Sequence, residues 1–580
     1  MHSMMGHGCA GEFSMTRYRI AIPATLAALF ILNAAVVSPQ TPLNLYGRGA
    51  AGANGVVAAA KPEASQVGIE IFKMGGNAVD AAVATGFALG VLEPNATGIG
   101  GGGFMTIKMA NMKEAVVIDF RPTAPAAATP DMYKLDEKGR PLNNASVEGG
   151  LASAVPGEVK GLLYAFDNFG SKKITRTQVI QPAIDWAERG VPVTVNLAQI
   201  LKDNFGKLRK YENGLAIYTK DGFPYEIGDK IINKDLANTL RRIQREGADA
   251  IYKGEIAAKI ADEVRKRGGI ITTGDLANYQ VKVRKPVTGT YRDYTIISAP
   301  PPSGGMHLIQ LLNIMENFDL GSLGEGTTAT THLWSEAMKL MFADRAKYSA
   351  DPDFIKVPVA GIVSKAYAKE LAGLISPDKV MPPPSPGDPW KYESGSTTHF
   401  SVMDKAGNMV AVTKTINMFF ASGVVVPGTG IIMGDDMDDF DVKPGSVNSI
   451  EPGKRMLSSM SPTLVLDPQG RSFMAIGSPG ATHIVPTVAQ VISNVIDRRM
   501  PIQLAIIAPR LYQSRAGSLS MEGRYSINAF NGVKALGHEV VVGLDYDAAF
   551  GGVHAVLYDH AAKMLYGGAD PRRDGQAAAY

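Results

Sequence analysis

Thr397 stands where a threonine can become a nucleophile. Ahead of it, residues 381–390 read Met-Pro-Pro-Pro-Ser-Pro-Gly-Asp-Pro-Trp, a run no packed element would choose. From Thr397 the chain switches to strand alternation, with Thr398, Phe400 and Val402 on one face and His399, Ser401 and Met403 on the other. A proline-rich segment ending at the first residue of a buried strand suits a chain that cuts itself between Ser396 and Thr397. The freed threonine would carry a hydroxyl nucleophile and its own α-amine as base, one recognised way of activating a weak hydroxyl. Taken alone, the stretch is more commonly just a loop before a strand. The rest of the chain decides the matter.

Met403 and Met409 flank Asp404-Lys-Ala-Gly-Asn408, and Gly407 suits the left-handed position of a short hairpin turn. Pairing 403 with 409 sets Thr397 opposite Thr415, which brings a second hydroxyl within cross-strand reach. A bulge would slip this by one residue. A plain threonine pair on a sheet is the bland alternative. Gly434-Asp-Asp-Met-Asp-Asp439 packs four carboxylates into six residues. It lacks the ligand spread and terminal glutamate of a calcium loop, leaving either a solvated acidic turn or a site for a substrate cation such as an α-ammonium. Gly477-Ser-Pro-Gly-Ala481 is a turn able to aim backbone N–H groups at a developing oxyanion.

Two other signals are set aside. Gly98-Ile-Gly-Gly-Gly-Gly103 fits G-x-G-x-x-G but follows a helical stretch and precedes a strand, the reverse of a dinucleotide fingerprint. Its glycines allow close backbone approach, to another strand as readily as to a ligand. The nine histidines form no serine-hydrolase pattern, since no G-x-S-x-G elbow exists. His399 reads as a packed strand histidine.

These residues need elements to hold them. A helical pattern runs from Glu63 to Gly75-Gly76, and Asn77 with Asp80 caps a second helix that Glu93-Pro94 ends. This second helix is almost all Ala, Val, Gly and Leu, so it is buried on most sides. Residues 155–280 are mostly helical, further helices cover about 307–317 and 331–348, and short strands dominate from Thr397. Helices layered on packed sheets are expected.

At 580 residues, 45% hydrophobic and 19% charged, the chain is globular in composition, and its net charge of +3 points to neither nucleic acid nor an anionic membrane. Arg17 and Arg19 precede an apolar stretch over residues 20–37 with small residues at Ala34 and Ala35, a secretory signal pattern. Residues 1–37 therefore read as leader and signal peptide, and the protein as exported to the periplasm or secreted. Membrane anchoring through 20–37 is the competing reading. The one cysteine, Cys9, lies in that leader, so the mature chain would offer no thiol for disulfides, zinc sites or nucleophilic catalysis.

The ordered motifs together resemble the γ-glutamyltranspeptidase family of N-terminal-nucleophile hydrolases over residues 45–580. They are Gly75-Gly-Asn-Ala-Val-Asp-Ala-Ala82, Gly100-Gly-Gly-Gly-Phe-Met105, Asp119-Phe-Arg121, Pro300-Pro-Pro-Ser-Gly-Gly305, Thr397-Thr-His-Phe-Ser401, Met437-Asp-Asp-Phe440, Leu457-Ser-Ser-Met-Ser-Pro462 and Asp570-Pro-Arg572. The resemblance implies an α+β fold, a four-layer αββα sandwich. It also implies self-cleavage into a large subunit (45–396) and a small one (397–580) intertwined in one domain. Thr397 would attack the γ-glutamyl carbonyl of glutathione or a related amide, and Thr415 would hydrogen-bond to it. The N–H groups of Gly480 and Ala481 would form the oxyanion hole. Arg121, Ser458 and Ser459 would hold the α-carboxylate, and Asn417, Asp436 and Asp439 the α-ammonium. The acyl group would pass to water or to an amino-acid or dipeptide acceptor, with no cofactor and no metal.

Three departures stand out. Asp436 replaces a Gln or Glu, residues 441–455 are short where many members carry a lid loop, and Ala481 replaces the second glycine of a pair. The more open pocket keeps a related acylase, acting on a glutaryl or β-lactam side chain, as the second reading.

Overall fold

The computed structural model describes residues 47–385 and 396–580, so the leader, the apolar stretch 20–37, Cys9 and the second half of the proline-rich segment, residues 386–390, lie outside it. In chain order the main strands are β1 (Ala50–Gly52), β2 (Gly55–Ala59), β3 (Gly102–Lys108), β4 (Val116–Asp119), β5 (Lys282–Arg284), β6 (Val287–Tyr291) and β7 (Tyr294–Ser298). There follow β8 (Ser396–Asp404), β9 (Met409–Asn417), β10 (Thr463–Leu466), β11 (Ser472–Gly477), β12 (His554–Asp559), β13 (Met564–Ala569) and β14 (Gln576–Ala579). They build two seven-stranded sheets, ordered β14-β2-β8-β9-β3-β4-β5 and β1-β13-β12-β11-β10-β7-β6. Within both sheets neighbouring strands run antiparallel.

The sheets meet face to face through Val56, Ala58, Met403, Met409 and Ala411 on one side and Leu464, Ala475, Val556 and Leu565 on the other. Helices α1 (Pro62–Lys73), α2 (Ala78–Leu92), α3 (Glu158–Phe169) and α4 (Arg176–Arg189) cover the outer face of the first sheet. Helices α5 (Gly305–Met315), α6 (Thr328–Tyr348) and α7 (Ile484–Ile496) cover the second. This is the α+β, four-layer αββα sandwich expected from the sequence. The half after Thr397 is less purely stranded than its pattern suggested, because it also holds α7, in which Thr487, Gln490, Ser493 and Asn494 recur at helical spacing opposite an apolar stripe.

Local chemistry explains the elements that matter most. Asn77 accepts from the N–H groups of Val79 and Asp80 at 2.9 and 3.0 Å, while Asp80 accepts from the Asn77 N–H at 2.9 Å. That capping box starts α2, which is buried along its whole length. The glycine run serves strand packing. A Cβ on Gly101 would lie 2.0 Å from the Thr415 carbonyl oxygen, one on Gly100 2.0 Å from that of Ile432, and one on Gly103 2.3 Å from that of Thr413. Gly101 and Gly103 therefore let the start of β3 press against β9, the strand carrying Thr415, and Gly100 admits the backbone of Ile432.

Gly101→Ala should consequently yield insoluble or uncut chain, because two backbones would have to part. Gly206→Ala, where nothing lies within 4 Å, should be neutral or slightly stabilising. Comparing soluble yield and thermal midpoint checks both, and a wild-type midpoint for Gly101→Ala would refute the packing role. Among the described residues no helix is long and apolar enough to cross a membrane.

Candidate active site

The β8–β9 hairpin forms in the expected register, Met403 against Met409 and Thr397 against Thr415, with Gly407 at φ 84°. Phe400 and Val402 point into the helix-covered core, and Met403 points between the sheets. Thr397 and Thr415 are both buried, and the Thr397 hydroxyl donates to Thr415 Oγ1 at 3.3 Å. Thr415 Oγ1 also accepts from the Asn417 N–H at 2.8 Å, so its lone pairs are directed on both sides. The ladder is regular from Thr397 to Met403 and shifts between Ser396 and Thr397, where Ser396 pairs with Asn417. Such a bulge re-aims the backbone at one residue, and here it falls at the bond that self-cleavage would break. Asn417, at φ 73°, donates through Nδ2 to the Asp435 carbonyl at 3.1 Å.

Arg121 follows β4 and is fully buried. Its N–H donates to Asp119 Oδ1 at 3.0 Å, and its carbonyl accepts from Tyr279 Oη at 2.9 Å. Asp119 is itself held by Arg284 and Arg455 at 2.6 and 3.3 Å. The guanidinium reaches Asp436 Oδ1 from Nη1 at 2.7 Å and pairs with Asp439 through Nη2. Both acids belong to the 3₁₀ turn Asp436–Asp439. In a 3₁₀ helix, residues three apart eclipse, which is why the two carboxylates meet one guanidinium.

The short segment 441–455 is bonded to both of its flanks. Asn448 donates through Nδ2 to the Asp439 carbonyl at 2.8 Å and accepts at Oδ1 from the Leu457 N–H at 3.0 Å. It thereby ties the acidic turn to the serine pair. The serine pair rests on the proline-glycine motif. The Ser458 N–H donates to the Pro302 carbonyl at 2.8 Å and the Gly304 N–H to the Met460 carbonyl at 2.9 Å, while a Cβ on Gly304 would sit 2.7 Å from the Ser459 carbonyl oxygen. Arg345 Nη2 donates to Ser459 Oγ at 2.9 Å.

Across from Thr397, Gly480 has φ 123° and Ala481 φ 51°. Among the described residues neither N–H has a hydrogen-bond acceptor, so two donors at one turn are available to an incoming oxyanion.

Most of the expected residues converge. Arg121, Thr397, Thr415, Asn417, Asp439, Ser458, Ser459 and Ala481 line one cleft. Asp436, expected at the ammonium end, is buried against the Arg121 guanidinium and is not among the residues lining the cleft. Burial pushes its carboxyl up to about 6, against the lowering influence of the Arg121 charge. Asp438, passed over in the sequence, lines the cleft instead and accepts from Ser146 Oγ at 2.6 Å. Arg345 and Asn448 were also missed, and nothing in their local pattern separates them from ordinary buried polar residues.

His399 is confined between Thr413 Oγ1 at 2.8 Å and Ser401 Oγ at 2.9 Å, and burial drives its pKa well below the ordinary value. It is a packed neutral histidine, as read from the sequence. One buried group, His332, Glu336 and His538, has the spacing to share a cation, but Lys339 Nζ already lies 2.7 Å from Glu336 Oε1. None of its members lines the cleft. The cleft therefore offers the Thr397 hydroxyl, the backbone of Ala481 with Gly480 next to it in the chain, and a cation and anions set side by side. That combination suits acyl transfer from a donor carrying both charges.

A family model described as gamma-glutamyltranspeptidase matches residues 64–580. The glutathione hydrolase proenzyme of Escherichia coli (strain K12) is 41% identical over 576 residues, covering 96% of this chain and 97% of its own. The acylase ACY 1 proenzyme of Pseudomonas sp. (strain SE83) is 41% identical over 541 residues, covering 91% and 94%. Among solved structures, a cephalosporin acylase from Bacillus halodurans superposes with a TM-score of 0.83 at 30% identity, covering 92% of this chain and 97% of that one.

Proposed function

The chain belongs to the gamma-glutamyltranspeptidase family, and from that premise we propose that it is a self-cleaving γ-glutamyltransferase and glutathione hydrolase with Thr397 as nucleophile. The observation that carries this reading is the meeting of Arg121, Asp439 and Asn417 with Thr397 in one cleft. A positive and a negative group beside the nucleophile match the α-carboxylate and α-ammonium of a γ-glutamyl donor.

In the precursor, Thr397 Oγ1 attacks the Ser396 carbonyl carbon, the C–N bond breaks, and an ester forms with the amine freed. Water cleaves that ester, leaving a large subunit (45–396) and a small one (397–580). In turnover, the same oxygen attacks the γ-carbonyl while the α-amine of Thr397 takes its proton. The N–H groups of Gly480 and Ala481 hold the oxyanion. The leaving amine departs with the proton, and water or the amine of an amino acid or dipeptide then opens the γ-glutamyl ester. Ser458 and Ser459 assist Arg121 at the carboxylate. Residues 1–37 act as leader and signal peptide, placing the protein outside the cytoplasm.

The acylase relative and the superposed cephalosporin acylase favour one second reading, hydrolysis of glutaryl-type amides. A panel of γ-glutamyl and glutaryl anilides, with and without a dipeptide acceptor, separates the two. Their pH profiles should differ as well. For both donors kcat/KM should rise through the pKa of the Thr397 α-amine, about 7.7–8.0 for an ordinary α-amine, because only the unprotonated amine is a base. γ-Glutamyl turnover should fall again once the donor's ammonium deprotonates. The glutaryl profile should lack that alkaline fall. A wild type that prefers the glutaryl compound would replace the transpeptidase reading with the acylase one.

A further inference from the structure

The turn that carries Gly480 and Ala481 divides its side chains between two surroundings. Ala481 and Ile484, three residues apart, line the cleft. Thr482 and His483 meet Tyr512, which does not line it. Tyr512 Oη donates to Thr482 Oγ1 at 3.0 Å, and the His483 ring stacks on the Tyr512 ring with centroids 3.8 Å apart and planes 26° from parallel. Phe550 stands edge-on to the same imidazole at 5.7 Å. Tyr512 is itself anchored. It belongs to the short strand Leu511–Tyr512, in which Leu511 gives its N–H to Gln490 Oε1 at 3.2 Å and accepts from Gln490 Nε2 at 3.1 Å. Gln490 lies on α7, the helix that starts at Ile484 directly after the turn. Phe342 of α6 is edge-on to the Tyr512 ring at 5.6 Å. The ring is thus registered against the helix whose approach it grips.

One residue of the turn needs that grip. Ala481 sits at φ 51°, in the left-handed region that a residue with a Cβ disfavours. Such a conformation persists only where the surroundings over-determine it. Up to Gly480 the turn is fixed by backbone packing. A Cβ on Gly480 would lie 3.0 Å from Gly551 Cα, and the Gly552 N–H donates to Ser478 Oγ at 3.1 Å. Past Gly480, Tyr512 holds the next two side chains. A rotation of Ala481 toward negative φ would either turn its own N–H or swing Thr482 and His483 off Tyr512.

We propose that Tyr512 is a positioning residue for the oxyanion hole: by gripping Thr482 and His483 it holds Ala481 in the left-handed conformation that aims the Gly480 and Ala481 N–H groups. This rests on the reading above in which those two N–H groups receive the oxyanion. Tyr512 touches no reacting atom, so its effect belongs in kcat and depends on which residue stands at 481.

Tyr512→Leu, Tyr512→Phe, Ala481→Gly and the combination of Tyr512→Leu with Ala481→Gly are purified and checked for cleavage into two chains. For each, kcat and KM are measured with γ-glutamyl-p-nitroanilide. Tyr512→Leu should lower kcat about tenfold or more while KM stays within about threefold, because a misaimed donor weakens the transition state more than the bound substrate. Tyr512→Phe keeps the ring and gives up one hydrogen bond, and should lose about threefold or less. Glycine takes a positive φ without strain, so in the Ala481→Gly background the loss caused by Tyr512→Leu should shrink to about threefold or less. If Tyr512→Leu does not mature, His483→Leu removes the other ring of the stack and carries the same prediction. The same fold-loss in both backgrounds, a loss confined to KM, or an Ala481→Gly enzyme without turnover overturns the positioning role and leaves the γ-glutamyl reading intact. A wild type that prefers glutaryl-p-nitroanilide overturns that reading instead, and the same proteins assayed on that compound then decide the role of Tyr512.

Discussion

Thr397→Ala should remain a single chain and show no turnover of a γ-glutamyl donor. The substitution removes one hydroxyl and one methyl group from a buried strand and keeps every backbone group of the β8–β9 ladder, the Arg121 site and the Gly480–Ala481 turn. Folding is therefore expected to proceed, while neither the attack on the Ser396 carbonyl nor the attack on substrate is possible. Loss of a nucleophile costs on the order of 10⁶-fold in kcat. Denaturing electrophoresis should show two bands for wild type and one for the variant. Sequencing of the smaller wild-type band should begin Thr-Thr-His-Phe. Thr397→Ser retains a hydroxyl and should still be cut. Wild-type protein that is fully active yet uncut would end the mechanism.

Asp439→Asn should lower kcat/KM for γ-glutamyl-p-nitroanilide by orders of magnitude and penalise a glutaryl anilide far less. Asp439 is the exposed half of the Arg121 pair, and the donor's ammonium is the cation it is proposed to receive. Truncating one partner of a hydrogen-bonded charge pair costs about 2–5 kcal/mol, roughly 30- to 5,000-fold in rate. Asparagine nearly preserves shape, and Arg121 keeps Asp436 as a charged partner, so the variant should fold and mature. A glutaryl donor has no ammonium to lose. Equal losses for the two donors would show that Asp439 acts on something other than the donor's ammonium.

The hairpin and its register were legible because a two-residue period and a glycine turn fix strand pairing locally, from Met403 and Met409 back to Thr397 and Thr415. The Asn77–Asp80 box was legible for the same reason, since its partners lie three residues apart. Where a side chain points inside a tight turn is not local information. Asp436, Asp438 and Asp439 are chemically alike, and only the 3₁₀ turn together with the position of Arg121 buries one against the guanidinium and leaves the others lining the cleft. Arg345 and Asn448 escaped notice because their partners, Ser459 and the Asp439–Leu457 bridge, come from distant segments or from backbone groups that carry no sequence signal.

The strand order has a consequence for the life of the molecule. A cut before Thr397 separates β1–β7 from nearly all of β8–β14, yet both sheets interleave strands from the two pieces, with β8 and β9 lying between β2 and β3 and β10–β13 between β7 and β1. The pieces can part only by tearing ladders in both sheets and opening the layer between them, so dissociation and unfolding are one event. Before the cut, folding is a search by a single chain. After it, reassembly requires two chains to meet at a rate set by concentration, each exposing bare strand edges that pair indiscriminately. Maturation would thus turn a reversible folding problem into a one-way history, in which the protein persists because it unfolds slowly and not because it can fold again.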